Sequence, residues 1–101
     1  MYTVIETETF EAWLRGLRDH TTRARLIARL RKASGGNLGD VKPVGEGVWE
    51  MREFFGPGWR MRSSNCVQRA DVLIVMLGGG DKSSQPRDIV TAQTMAKEIN
   101  L

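Results

Sequence analysis

Six charged side chains in the middle of the chain are spaced to gather around an anion. Glu50 and Arg52 precede the triplet Gly56-Pro57-Gly58, and Arg60 and Arg62 follow it. Glycine tolerates positive φ and proline fixes its own φ near about −65°, so the triplet predicts the turn of a β-hairpin. Side chains two apart on a strand share a face. Glu50, Arg52, Arg60 and Arg62 therefore share one face. Trp49 and Met51 take the other, with Trp59 and Met61 expected opposite them. One face is built for a core and the other for an anion, with Lys42 before the hairpin and Lys82 after it as further cations. The same charges also suit the solvated face of a half-exposed sheet, where opposite charges across strands add only about 0.2–1 kcal/mol.

The run Gly78-Gly79-Gly80-Asp81-Lys82-Ser83-Ser84 leaves a strand-like segment and opens a helix. It departs from a nucleotide-binding P-loop, which needs glycine directly before the lysine. What remains is a helix start whose N–H groups, with Lys82, Ser83 and Ser84, can hold one phosphate. The alternative is a flexible strand exit. If the segment pairs beside the strand of Arg60, Lys82 emerges at one end of the cation row. Arg52, Arg60, Lys82 and Lys42 can then surround a phosphodiester, with Arg62 in the same row. Such a site can cleave RNA without a metal: the 2′-hydroxyl attacks the phosphorus, cations stabilise the phosphorane, and a base and an acid move protons. Glu50 is the base candidate on that face; as a salt-bridge partner of Arg52 or Arg60 it has an equally good structural role. His20 falls in a turn away from this face, and no cluster of ligands has metal spacing, so neither metal nor cofactor is expected.

The surrounding elements must form a sheet. Tyr2 to Ile5 is a first strand. Thr7 or Thr9 caps a helix whose Phe10, Trp13, Leu14 and Leu17 make one apolar face, with Gly16 inside it. A second helix carries Leu26, Ile27, Leu30 and Ala33 on one side and arginines on the other, and Gly35-Gly36 ends it. Pro43 marks a short edge strand over 39–45. Val72 to Leu77, apolar on both faces, is expected as the buried central strand. Pro86 sits in the first turn of a last helix with a stripe of Ile89, Ala92, Ala96 and Ile99, widened by Val90 and Met95. The order is β-α-α-β-β-β-β-α: an α+β fold, two-layered and rich in antiparallel pairing, with the sheet lying on an N-terminal helical hairpin.

The chain has 101 residues, 41% hydrophobic and 27% charged, which suits one soluble globular domain spanning 1–101. Net charge is +3, so a nucleic-acid or acidic partner is permitted without being required. Arg15, Arg18, Arg23, Arg25, Arg29, Arg31 and Lys32 face only Asp19 in that stretch, as a solvated helical face or a contact surface. The lone Cys66 excludes an internal disulfide and fits a reducing compartment. With neither a signal peptide nor an apolar run near about 18 residues, a cytoplasmic protein without membrane contact is expected.

Taken together, Gly36-Asn37-x-Gly39-Asp40-x-Lys42, Val44-Gly45-x-Gly47-Val48-x-Glu50-x-Arg52, Gly56-Pro57-Gly58-Trp59-Arg60 and Gly79-Gly80-Asp81-Lys82-Ser83-Ser84-Gln85-x-x-Asp88-Ile89 resemble the HigB-like addiction-module killer proteins of the RelE/ParE toxin superfamily. The resemblance covers nearly the whole chain. It implies a RelE-like fold with the last strand beside the first, and the toxin of a type II toxin–antitoxin module with a helix-turn-helix antitoxin as partner. It also implies cleavage of messenger RNA on the ribosome, with Arg52, Arg60 and Lys82 matching the basic residues that bind and cleave RNA. The chain departs from the family at Met61-Arg62-Ser63-Ser64, where a cation replaces a strand residue, and it lacks the late tyrosine or histidine that serves as a proton-transfer group. The alternatives are a ParE-like inhibitor of DNA gyrase that performs no chemistry, or a toxin that has lost its activity.

Overall fold

In the structure, a computed structural model, residues 2–68 and 71–99 are described. The elements are β1 (Tyr2–Glu6), α1 (Glu8–Arg15), α2 (His20–Ser34), β2 (Val41–Gly45), β3 (Val48–Arg52), β4 (Arg60–Gln68), β5 (Asp71–Gly80), a single 3₁₀ turn (Lys82–Ser84) and α3 (Gln85–Glu98). The expected α+β order is present, as a five-stranded sheet in the order β1-β5-β4-β3-β2. Among the described residues β1 pairs with β5 in parallel, and the other three pairs are antiparallel. β5 thus lies inside the sheet beside β1, with β4 at its middle. The run 67–71, whose polar composition suggests a turn, is strand at 67, 68 and 71, and residues 69 and 70 lie outside the described ones, as does the side chain of Cys66.

Local chemistry explains the helical hairpin. The Thr7 hydroxyl accepts from the Phe10 N–H and donates to the Met76 carbonyl, so one side chain caps α1 and ties it to β5. Gly16 ends α1 as its C-cap instead of lying inside it, so it carries no mid-helix penalty. Asp19 caps α2 through the Thr22 hydroxyl and the Thr21 N–H, which in that order hold its carboxyl below the usual carboxylate range. Phe10, Leu14, Leu26, Leu30 and Ala33 bury against Met51, Met61, Ile74 and Met76 on one face of the sheet.

The opposite face has its own smaller core: Val48, Val75 and Leu77 under Ala92, with Met95, Ala96, Ile99 and Val44 around them. α3 therefore covers the second face of the sheet, adding to the layer formed by the hairpin. Val90, expected on the packed stripe, is exposed. Two further readings change with the register. Met51 does face Met61, but Trp49 faces Ser63, and Trp59 precedes β4 in the connecting loop, where its ring meets Trp13 edge-on at 6.2 Å. Gly78, Gly79 and Gly80 belong to β5 and do not form a glycine-rich turn. A Cβ on Gly79 would collide with the Trp13 ring. Gly79→Ala is expected to cost about 1–3 kcal/mol, the usual penalty of overpacking, measured as a lower urea midpoint with an unchanged slope.

Candidate nucleic-acid interface

Strand register puts the predicted site residues on one face in two cross-strand rows. Lys42, Glu50, Arg62 and Gly78 form the first row, and Arg52, Arg60 and Gly80 the second. The chain then continues to Asp81 and Lys82. The pairing on which Lys82 depended is present, since β4 and β5 are adjacent and Arg60 faces Gly80. A Cβ on Gly58 would lie 3.0 Å from Lys82 Cγ, so the Lys82 stem runs along the loop joining β3 to β4.

Burial cuts across both rows, with Lys42 exposed and Arg52 partly exposed at their ends and the charged groups between them buried. Glu50 is 0% exposed, Arg62 1% and Arg60 3%. Arg62 Nε donates to Glu50 Oε2 at 3.0 Å, and Arg60 Nε lies 3.5 Å from Glu50 Oε1. Gln85, the first residue of α3, donates to the same Oε1 at 2.7 Å. One turn later Asp88 receives the Ser84 hydroxyl and lies 3.4 Å from Arg62 Nη1. Charges in this cluster cancel in sign, two guanidinium groups against two carboxylates, which permits their burial. The helix that covers the second core thus starts on top of the ion pairs. The expectation of an open anion face is corrected here. Glu50 and Arg62 lie under α3, and Arg60 is not the solvent-facing arginine the alternation suggested. Its Nη1 donates to the carbonyls of Glu53 and Trp59 at 2.9 and 3.0 Å, closing the β3–β4 loop.

The exposed cations stand at the rim of this cluster. Arg52 is partly exposed, with Nη2 3.2 Å from Asp40 Oδ1. Lys42 and Lys82 are exposed, and neither has an ion-pair partner among the described residues. The helix start behaves differently from the phosphate cradle expected of it. Asp81 takes the Ser83 N–H at 2.8 Å and also the Ser83 hydroxyl, so an internal carboxylate occupies the place of an anion. Those two hydrogen bonds, the hydroxyl first, hold the Asp81 carboxyl below its usual range and keep it ionised beside Lys82. Ser84 is turned to Asp88.

Four contributors escaped the sequence reading. Gln85 and Asp88 stand three apart at the start of α3, a spacing that puts them on one helical face, and this was the available signal. Arg29 sits in the arginine run, yet its guanidinium donates to the carbonyls of Leu38, Asp40 and Arg52 and to Glu53 Oε1 at 2.8 Å. It fixes the chain on both sides of Arg52, and its type and position look like those of its solvated neighbours. Phe54, next to Arg52, is 69% exposed.

The architecture is that of the RelE-like α+β fold. The chain superposes on a double arginine mutant of the Escherichia coli toxin RelE, determined in the free state, with a TM-score of 0.69 over 98% of both chains and 17% sequence identity. No family profile matches the sequence. An uncharacterized protein of Haemophilus influenzae is 39% identical over 95 residues, which span 94% of this chain and 93% of that protein. The chain belongs to the same protein family as that Haemophilus protein.

Proposed function

We propose that this protein is the toxin of a type II toxin–antitoxin module, a HigB-like member of the RelE group that cleaves messenger RNA in the cytoplasm and is neutralised by a helix-turn-helix antitoxin. The observation that carries the reading is the convergence of Arg52, Arg60 and Lys82 at one end of the sheet in a RelE-like fold. The rim cations Arg52, Lys82 and Lys42 bind the phosphates of the message presented on the ribosome. The buried Glu50–Arg60–Arg62 cluster holds the strand ends and the β3–β4 loop beneath them. In the reaction the 2′-oxygen forms a bond to phosphorus and loses its proton to water. The charge of the phosphorane is stabilised by the fixed cations, and the bond to the 5′-oxygen breaks as that oxygen takes up a proton. The products are a 2′,3′-cyclic phosphate and a 5′-hydroxyl. In this scheme Glu50 positions Arg60 and Arg62; a general base must reach the 2′-hydroxyl, and Glu50 is 0% exposed beneath Arg60, Arg62 and Gln85.

Purified protein added to translating ribosomes is expected to give new 5′-hydroxyl ends inside coding regions at an unchanged rate in EDTA that is balanced with magnesium to keep the ribosomes intact. Intact messages under those conditions, with growth arrest on expression, would overturn the nuclease reading. The second reading, inhibition of DNA gyrase by contact alone, is favoured by one observation: the only carboxylate on the cation face that was a candidate base is buried. Arrest accompanied by DNA-damage signalling and intact messages identifies that case.

A further inference from the structure

Resting on the RNA reading of this face, we propose that Phe54 is a stacking platform for one nucleobase of single-stranded RNA, which selects an unpaired segment and sets its register against Arg52 and Lys82. The neighbouring aromatics Phe54 and Phe55 behave oppositely. Phe55 packs on the main core and is capped by the Arg25 guanidinium 3.7 Å from its ring centre. Phe54 projects outward and is 69% exposed. A single exposed apolar side chain is ordinary on a protein surface. The setting of this one is not, because the Arg52 and Arg60 guanidinium groups lie 5.8 and 5.9 Å from its ring centre. Lys82 lies along the same loop at Gly58.

Cations that track phosphates around an aromatic face that accepts any base are what single-strand binding requires. A base paired within a duplex has no free face to offer such a ring. The loop backbone that carries the ring is closed before any ligand arrives. The Glu53 N–H bonds the Trp59 carbonyl at 2.9 Å, the Gly58 N–H bonds the Phe55 carbonyl at 3.2 Å, and Arg29 grips the Glu53 carboxylate. The backbone of the loop therefore has little ordering left to lose on binding.

The test uses fluorescence anisotropy with a labelled single-stranded RNA carrying 2′-O-methyl groups, which removes the nucleophile so that binding is measured without cleavage. Wild type, Phe54→Leu, Phe54→Tyr and Lys82→Ala are compared over a salt series. Phe54→Leu is expected to weaken binding roughly 5–150-fold, the range of one stacked base, with an unchanged salt slope. Phe54→Tyr is expected to stay within about twofold, because it keeps the ring. A duplex of the same sequence should bind more weakly than the single strand and show no difference between wild type and Phe54→Leu. Equal binding by Phe54→Leu and wild type, while Lys82→Ala weakens it, would overturn the platform and leave the RNA reading standing. No binding of single strands by wild type overturns the platform, and cleavage on translating ribosomes then decides the RNA reading separately. Unaltered RNA binding by Phe54→Leu with loss of growth arrest would make the ring a protein contact, and that also overturns the proposal.

Discussion

Glu50→Gln is expected to melt far below the wild type. The substitution keeps the shape of the side chain and one acceptor, and removes the charge that faces two buried guanidinium groups. Arg60 and Arg62 are 3% and 1% exposed, so water cannot replace the carboxylate without opening the structure. Arg62 Nη2 and Arg60 Nε already lack a hydrogen-bond partner among the described residues, which leaves no reserve in the network. Breaking a buried pair in this way costs about 3–5 kcal/mol, a large part of the roughly 5–15 kcal/mol that holds a domain of this size. The midpoint should fall by on the order of 10–30 °C in a thermal melt followed by circular dichroism. The loss should be partly shared with Arg62→Met, since that change removes one of the charges Glu50 serves. The double variant Glu50→Gln with Arg62→Met is therefore expected to be more stable than the sum of the single losses, by about 0.5–3 kcal/mol. A Glu50→Gln protein that melts within a few degrees of wild type yet cleaves no RNA would instead return Glu50 to the role of general base.

The difference between what the sequence disclosed and what it concealed follows from the same cluster. Alternation on β3 and β4 places Glu50, Arg52, Arg60 and Arg62 on one face correctly, because side-chain direction on a strand is local. The helix start after Gly80 and the apolar stripes of α1 and α2 are legible for the same reason: caps and periodicity are local signals. Whether a face is open depends on which element returns to cover it. That is set by Ala92, Met95 and Ala96 settling on Val75 and Leu77, residues distant in the chain. An arginine under a helix and an arginine in solvent read alike when the partner carboxylates lie 12 and 26 positions away, as Glu50 and Asp88 do from Arg62. The glycines of β5 mislead in a similar manner. Three in a row suggest a loop, but Gly79 is small because the Trp13 ring lies over it, and Gly80 because Asp88 and Ser84 do. Phe54 and Phe55 are indistinguishable by type; only the loop closure by Arg60 and Arg29 turns one inward and the other out.

Lys82→Ala is expected to separate stability from activity in the opposite sense to Glu50→Gln. Its side chain is exposed, makes no ion pair among the described residues and touches the rest of the protein through its stem at Gly58. Surface substitutions of this kind move stability by no more than about 0.5 kcal/mol, so the melt should coincide with that of wild type. Cleavage depends on charge fixed where the phosphorane develops, and loss of one such donor costs about 10²–10³-fold. Lys82 also faces less competition than Arg52, which shares its charge with Asp40 at 3.2 Å. The ionised Asp81 beside it reduces the field at Lys82 without occupying its ammonium group. Single-turnover cleavage should therefore fall by about two to three orders of magnitude and growth arrest should disappear. The salt dependence of RNA binding should flatten by about one phosphate contact. Lys82→Arg is expected to restore binding more fully than cleavage, because it returns the charge on a wider, planar group. A folded Lys82→Ala protein that still arrests growth with messages intact would show that the toxicity of this face lies in contact with another protein and that no phosphodiester is broken there.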